Sequence, residues 1–289
     1  MKHKLLFTSC LSIICLLFAQ AVGFAAESVQ LRYKFQKGET QTYRVQVNQS
    51  SEITSDMVPG ATKKMSIRTD VELAQKILDV KDGSASIEMG FNKFLADQVI
   101  GGKRQAIDGT EGIKKIRLGL QMSQLGQMFK ATLLNPDEID EPARLAADSM
   151  RRSITQNSIV LPEKALSPGD SWKIEKVVPA NLPGAKNIKM KLTSAYTLLS
   201  FEKVAGKACA KIQTEVSLTL KGKAEQAGVP IEADLSGSGK GVSLFAVDSG
   251  CVLNSQAKLQ ISGDIKATSQ GQKVKTHVKV DLEIRMAKK

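Results

Sequence analysis

Residues 253–286 read LNSQAKLQISGDIKATSQGQKVKTHVKVDLEIRM. In the first part Leu253, Ala257, Leu259, Ile261, Ile265 and Ala267 share one parity, against Gln256, Lys258, Gln260, Asp264 and Lys266. In the second part Val274, Val278, Val280, Leu282, Ile284 and Met286 oppose Lys275, His277, Lys279, Asp281 and Arg285. A period of two held this long reads as two strands, each with one face for burial. Ordinary strands run about 5 to 6 residues, so strands of this length require a large, twisted antiparallel sheet that curls.

The same alternation runs through the rest of the chain. Tyr43, Val45 and Val47 alternate with Arg44, Gln46 and Asn48. Met65, Ile67, Val71 and Leu73 pass through the turn Lys81-Asp82-Gly83 into Ala85, Ile87, Met89 and Phe91, which reads as a hairpin. Ile188 to Leu198, the turn Ala205-Gly206 and the return Ala210 to Leu220 repeat that design. Ile231 to Leu235 and Val242 to Val247 are then expected as two separate short strands. Between them Ser236-Gly237-Ser238-Gly239-Lys240-Gly241 lacks the serine or threonine that follows the lysine of a phosphate loop, and reads as a flexible loop or tight turn.

The middle changes period. Met122, Leu125, Met128, Phe129 and Leu133 recur at helical spacing after Ser123, which predicts one amphipathic helix. Ala143, Ala146, Ala147, Met150 and Ile154 predict a second, opened by the acids Asp137 to Glu141 and by Pro142. Lys37-Gly38-Glu39-Thr40 before Tyr43 matches Pro168-Gly169-Asp170-Ser171 before Trp172, a sign of internal repetition. The expected fold class is therefore mainly β (α+β): a large curved antiparallel sheet, or two related sheets from a diverged duplication, with a helical segment between the halves. The expected organisation is a signal peptide over 1–26, an N-terminal β half over 27–115, a helical connector or lid over 116–160 and a C-terminal β half over 161–289. The two halves can form one continuous domain.

The first residues set the compartment. Lys2 and Lys4 precede an apolar run from Leu5 to about Ala19, and Gly23-Phe24-Ala25-Ala26 supplies small residues for cleavage. That is the pattern of a secretory signal peptide cut near Ala25 or Ala26, and it predicts an exported chain, periplasmic or extracellular. No later apolar stretch reaches the roughly 18 to 20 residues of a spanning helix, so no transmembrane segment is expected in the mature chain. The chain has 289 residues and 41 Lys and Arg against 29 Asp and Glu, a net charge of +12 that falls to +10 once residues 1–26 are removed. Most of the excess belongs to residues 161–289. Lys275, Lys279 and Arg285, on the polar side of the last strand, form a candidate basic face for an anionic envelope component: cell-wall polymer, anionic lipid or an acidic protein. Export and an aromatic content of only 4% argue against nucleic acid.

Chemistry is thinly represented. His277 is the one histidine outside residues 1–26 and sits on a charged strand face, where a solvated role is expected. There is no G-x-S-x-G, no H-E-x-x-H and no Cys/His cluster, so no enzyme, cofactor or metal site is expected. Cys209 and Cys251 are the two cysteines beyond the leader, a disulfide candidate in an oxidising compartment. Their parities differ, so they face the same side only if the turn at Ser249-Gly250 or a bulge shifts the register. The expected role is non-catalytic: holding a lipid or other amphiphile inside the curl. The alternative is docking through the basic C-terminal face.

Two stretches carry a resemblance. Tyr33-Lys34-Phe35-Gln36-Lys37-Gly38-Glu39-Thr40 with Tyr43, and Leu161-Pro162-Glu163-Lys164-Ala165-Leu166-Ser167-Pro168-Gly169-Asp170-Ser171-Trp172, resemble a family of exported bacterial proteins catalogued only as a domain of unknown function. The resemblance implies a bacterial origin and a mainly β fold, and it transfers no catalytic residue.

Overall fold

The computed structural model describes residues 28–57, 62–107, 110–156, 159–179, 188–226, 229–269 and 272–289. The signal-peptide reading of residues 1–26 lies outside them. Among the described residues twelve strands form one open antiparallel sheet. The first half supplies β1 (Thr40–Ser55), β2 (Thr62–Lys81), β3 (Ser84–Ile100), β4 (Lys103–Ala106), β5 (Arg117–Ser123) and β6 (Met128–Leu133). The second supplies β7 (Ser171–Pro179), β8 (Lys189–Val204), β9 (Lys207–Gln226), β10 (Val229–Ala246), β11 (Cys251–Ser269) and β12 (Gln272–Lys288). The order across the sheet is β6-β5-β3-β2-β1-β12-β11-β10-β9-β8-β7, with β4 paired to the far end of β3. Each half is a meander, and pairing of β1 with β12 fuses the halves through strands from opposite ends of the chain. A short helix, α1 (Thr110–Lys115), precedes β5 within the first half, and a longer one, α2 (Glu141–Gln156), lies between the halves in sequence. Among the described residues no helix is long and apolar enough to cross a membrane.

The halves repeat in detail. Gly38 N donates to Ile77 O (2.8 Å) and Ile77 N to Glu39 O (2.9 Å); Gly169 N donates to Leu198 O (2.7 Å) and Leu198 N to Asp170 O (2.9 Å). A register shift follows at the same place in each half, after Ile77 in β2 and after Leu198 in β8. Both long hairpins then turn through two residues with positive φ, Asp82-Gly83 and Ala205-Gly206, the geometry that suits a two-residue turn to the twist of its strands. One sheet built from two copies of one plan is the outcome of the repetition legible in the sequence.

Two expectations are corrected. The stretch 122–133 is not a helix but the β5–β6 hairpin, so the segment 116–160 holds two strands and one long helix. Leu118 and Leu120 alternate into the core. Two short strands out of phase mimic a helical spacing when their apolar positions are read together. Ser123 does not cap a helix; its Oγ accepts from the main-chain N–H of Leu125 (3.2 Å) and Gln127 (3.1 Å) in the turn. The second helix forms as expected, with Asp140 Oδ1 accepting from Ala143 N (2.9 Å) at its start.

The second correction concerns Ser236 to Gly241, which is the interior of β10 rather than a loop, so that one 18-residue strand replaces the two short ones expected. Gly237, Gly239 and Gly241 alternate on the face where β9 and β11 place Leu218 and Ile261, Val216 and Leu259, Thr214 and Ala257. A Cβ on Gly239 would come within 2.5 Å of Lys258 O. Glycine there admits the close approach of β11 rather than a turn.

The apolar face is covered at one end of the strands. Ile77, Ile87, Met89, Leu118 and Leu120 pack against Ala143 and Ala147 of α2. Leu198, Ile212 and Phe245 pack beneath Leu31, Leu161 and Leu166, where the chain before β1 and the chain before β7 cross the sheet. On the charged face Asp70 is clasped by Arg44 through two 2.9 Å hydrogen bonds and by Lys93 at 3.1 Å. Arg44 and Lys93 draw the Asp70 carboxyl down from 3.8 to about 2. A depressed carboxyl stabilises the fold above its unfolded pKa and stops doing so as pH falls through the folded one. Stability is therefore expected to drop between about pH 4 and pH 2, with a shallower drop in Asp70→Asn. Urea midpoints across that range check this, and parallel curves for the two proteins would sink the ion-pair account.

Candidate functional site

Curling of the sheet forms an open cavity of about 1100 Å³ lined by nine adjacent strands, from β4 at one side to β8 at the other. Its lining positions come in pairs two residues apart, such as Ser66 and Arg68, Lys258 and Gln260, or Asp281 and Glu283. Alternate residues share a face, so this is the charged face of the sheet. The row between, including Ile67, Leu282, Leu259, Gly239 and Val216, forms the floor. The face that buries the apolar positions is therefore not the one that carries the cavity. A strongly twisted sheet is saddle-shaped, so each face is concave along one diagonal, and only the apolar concavity is filled by α2 and the crossing segments.

The cavity carries both signs of charge. Asp97 is paired with Arg104, and Glu215 with Lys240 at 2.7 Å. Glu283 is held by Arg285 at 2.8 Å and accepts from Gln256 Nε2 at 3.3 Å, and the Arg285 hydrogen bond keeps its carboxyl below the usual range. Asp281 accepts from Gln260 Nε2 at 2.7 Å and lies 3.9 Å from Lys279. Apolar groups interrupt this face. Val99 and Ala195 line the cavity, while Leu95 and Val242, 49% and 37% exposed, continue the same parity along β3 and β10.

The residues singled out from the sequence lie around this cavity rather than in it. Lys275 pairs with Asp264 at 3.0 Å, Lys279 with Asp281 and Arg285 with Glu283, so each cation of the candidate basic face already has a carboxylate. His277 Nδ1 is 3.0 Å from Asp264 Oδ1 on the exposed face, and Asp264 is held low by His277 and Lys275. Cys209 and Cys251 are free and buried. A bulge at Leu253 does shift the register, and both cysteines stand opposite Ala246, one from each side. That places them on one face but with β10 between them. Two strand spacings put their Cα atoms about 9 to 10 Å apart, beyond the roughly 7 Å limit of a disulfide. Cys251 Sγ instead accepts from Lys288 Nζ at 3.3 Å, and burial pushes the Cys209 thiol up.

Sequence reasoning missed Arg68 and Lys258, the two cavity cations that have no ion pair among the described residues. Their polar parity was visible; that both belong to one concavity depends on the β1–β12 pairing.

Among solved structures the chain is similar to lipovitellin, in a structure described as lipid-protein interactions in lipovitellin, at a TM-score of 0.49 and 7% identity. That match covers 89% of this chain and 25% of the lipovitellin chain, so this chain spans a quarter of its length. It is also similar to a protein with a YmcC-like fold from Bacteroides fragilis (TM-score 0.21, 9% identity, 86% and 96% covered). A DUF1329 family protein from Desulfovibrio piger gives a TM-score of 0.15 at 8% identity, with 83% and 84% covered. None of the curated proteins matches this chain. Residues 143–252, which include the Leu161 to Trp172 stretch, match DUF6263, a family of unknown function.

Proposed function

We propose that this chain is a non-catalytic binding protein of the bacterial envelope that holds an amphipathic ligand in the curl of its sheet. The observation that carries the reading is the cavity of about 1100 Å³ on the charged face, with Val99 and Ala195 among its lining residues. Its volume lies just above the usual range of ligand-sized sites, and its mixture of charged, amide and aliphatic groups suits a molecule with a polar and an apolar part. The cavity carboxylates favour binding over proton transfer. Asp97, Glu215 and Glu283 each have a cation partner, and the Arg285 hydrogen bond keeps the Glu283 carboxyl below the usual range, whereas a general acid needs a raised pKa. Envelope location rests on the leader pattern of residues 1–26.

The test is native mass spectrometry of the protein purified from an envelope fraction without detergent, followed by organic extraction. One amphiphile per chain, released by the solvent, is the expected result. A bare polypeptide mass that also fails to shift with added lysolipids would overturn the reading.

A further inference from the structure

We infer that Arg68 and Lys258 make the cavity a site for an anionic group, a phosphate or carboxylate borne by the ligand; this rests on the reading of the cavity as an amphiphile site. Four cations line the cavity, and the acids around them account for only two. Arg104 is taken by Asp97 and Lys240 by Glu215. Glu283 and Asp281 are served from outside the lining by Arg285 and Lys279. Arg68 and Lys258 have neither an ion pair nor a side-chain hydrogen bond among the described residues. Each stands in register beside a carboxylate already engaged, Arg68 beside Asp97 and Lys258 beside Glu283. The lining is formally neutral, but Lys279 and Arg285 just outside it take up Asp281 and Glu283, which leaves Arg68 and Lys258 as its two cations without an ion pair among the described residues.

The two cations are three strand steps apart along the row Arg68–Asn48–Glu283–Lys258, about 14 Å along the sheet, and the curl turns both toward the same space. Two unpaired cations facing one cleft raise the local concentration of an anion there, and a guanidinium offers the paired donors that fit phosphate or carboxylate oxygens. A zwitterionic head group brings a cation that these two residues repel.

Titration calorimetry with the purified full chain tests this, using lysophosphatidic acid, lysophosphatidylcholine of the same acyl chain and inorganic phosphate, the lipids kept monomeric. Lysophosphatidic acid is expected to bind at least about tenfold tighter than lysophosphatidylcholine. The Arg68→Gln/Lys258→Gln protein should lose about tenfold for the acid alone, while Lys275→Gln, paired outside the cavity, should shift neither ligand. Because neither Arg68 nor Lys258 is paired, an unchanged thermal midpoint is the folding control. Equal binding of both lysolipids by both proteins would overturn the inference and leave the amphiphile reading in place. Binding of neither lysolipid would overturn both. Inorganic phosphate binding as tightly as the lysolipid, and lost in the double variant, would keep the cation pair and overturn the amphiphile.

Discussion

Gly126→Ala is expected to cost about 3 to 5 kcal/mol, the sum of backbone strain, overpacking and lost hydrogen bonds. Gly126 has φ +85°, and a Cβ there would lie 2.2 Å from Ile159 O and 2.6 Å from the ring of Tyr33. The turn that holds it joins several crossing segments. Gln124 N donates to Gly83 O, Tyr33 N to Gln124 O and Leu161 N to Leu125 O, at 3.0, 2.7 and 2.7 Å. Moving the turn to make room therefore breaks contacts with the β2–β3 hairpin and with both segments that cross the apolar face. Gly38→Ala and Gly169→Ala are the matched controls, because their φ values are +86° and +93° but nothing lies within 4 Å of an added Cβ. Each should cost only the strain, about 1 kcal/mol. Urea denaturation reads all three, and equal losses would show that Gly126 is not sterically confined.

The second large effect is at Phe245, which is 1% exposed and meets Tyr33 edge-on with ring centroids 5.2 Å apart. It lies where the sheet receives the chain leading into β1, beside Leu31, Leu198 and Ile212. Phe245→Ala should cost about 3 to 5 kcal/mol through lost burial and the void left behind. Phe129 on the edge strand β6 is 54% exposed, and its replacement by alanine should stay within about 0.5 kcal/mol. A small loss at Phe245 would mean that the crossing segment does not close the apolar face in solution.

The long hairpins were legible because their signals are local. Asp82-Gly83 and Ala205-Gly206 supply the positive φ values of a tight turn, and period-two alternation on either side leaves one register that buries the apolar positions. The helix of residues 141–156 was legible for the same reason, since its stripe and its Asp140 cap lie within one segment. Residues 122–133 and 236–241 misled because the decisive partners are distant. Gly126 is set by Ile159 and Tyr33, and Gly239 by the carbonyl of Lys258. A glycine that permits a turn and one that permits close packing look alike along the chain. Cys209 and Cys251 show the same limit. The register shift that would align them was foreseeable, but Ala246 standing between them follows from strand order alone.

Sequence by itself determined which positions face which side of the long strands, where the two long hairpins turn and that the two halves repeat, because these depend on bonds and contacts within a few residues. Tertiary structure alone decided that β1 pairs with β12, which face encloses space, and that Arg68 and Lys258, 190 positions apart, look into one cavity. Those outcomes depend on the order and accumulated twist of strands from both ends of the chain, and alternation is identical whichever way the sheet curls.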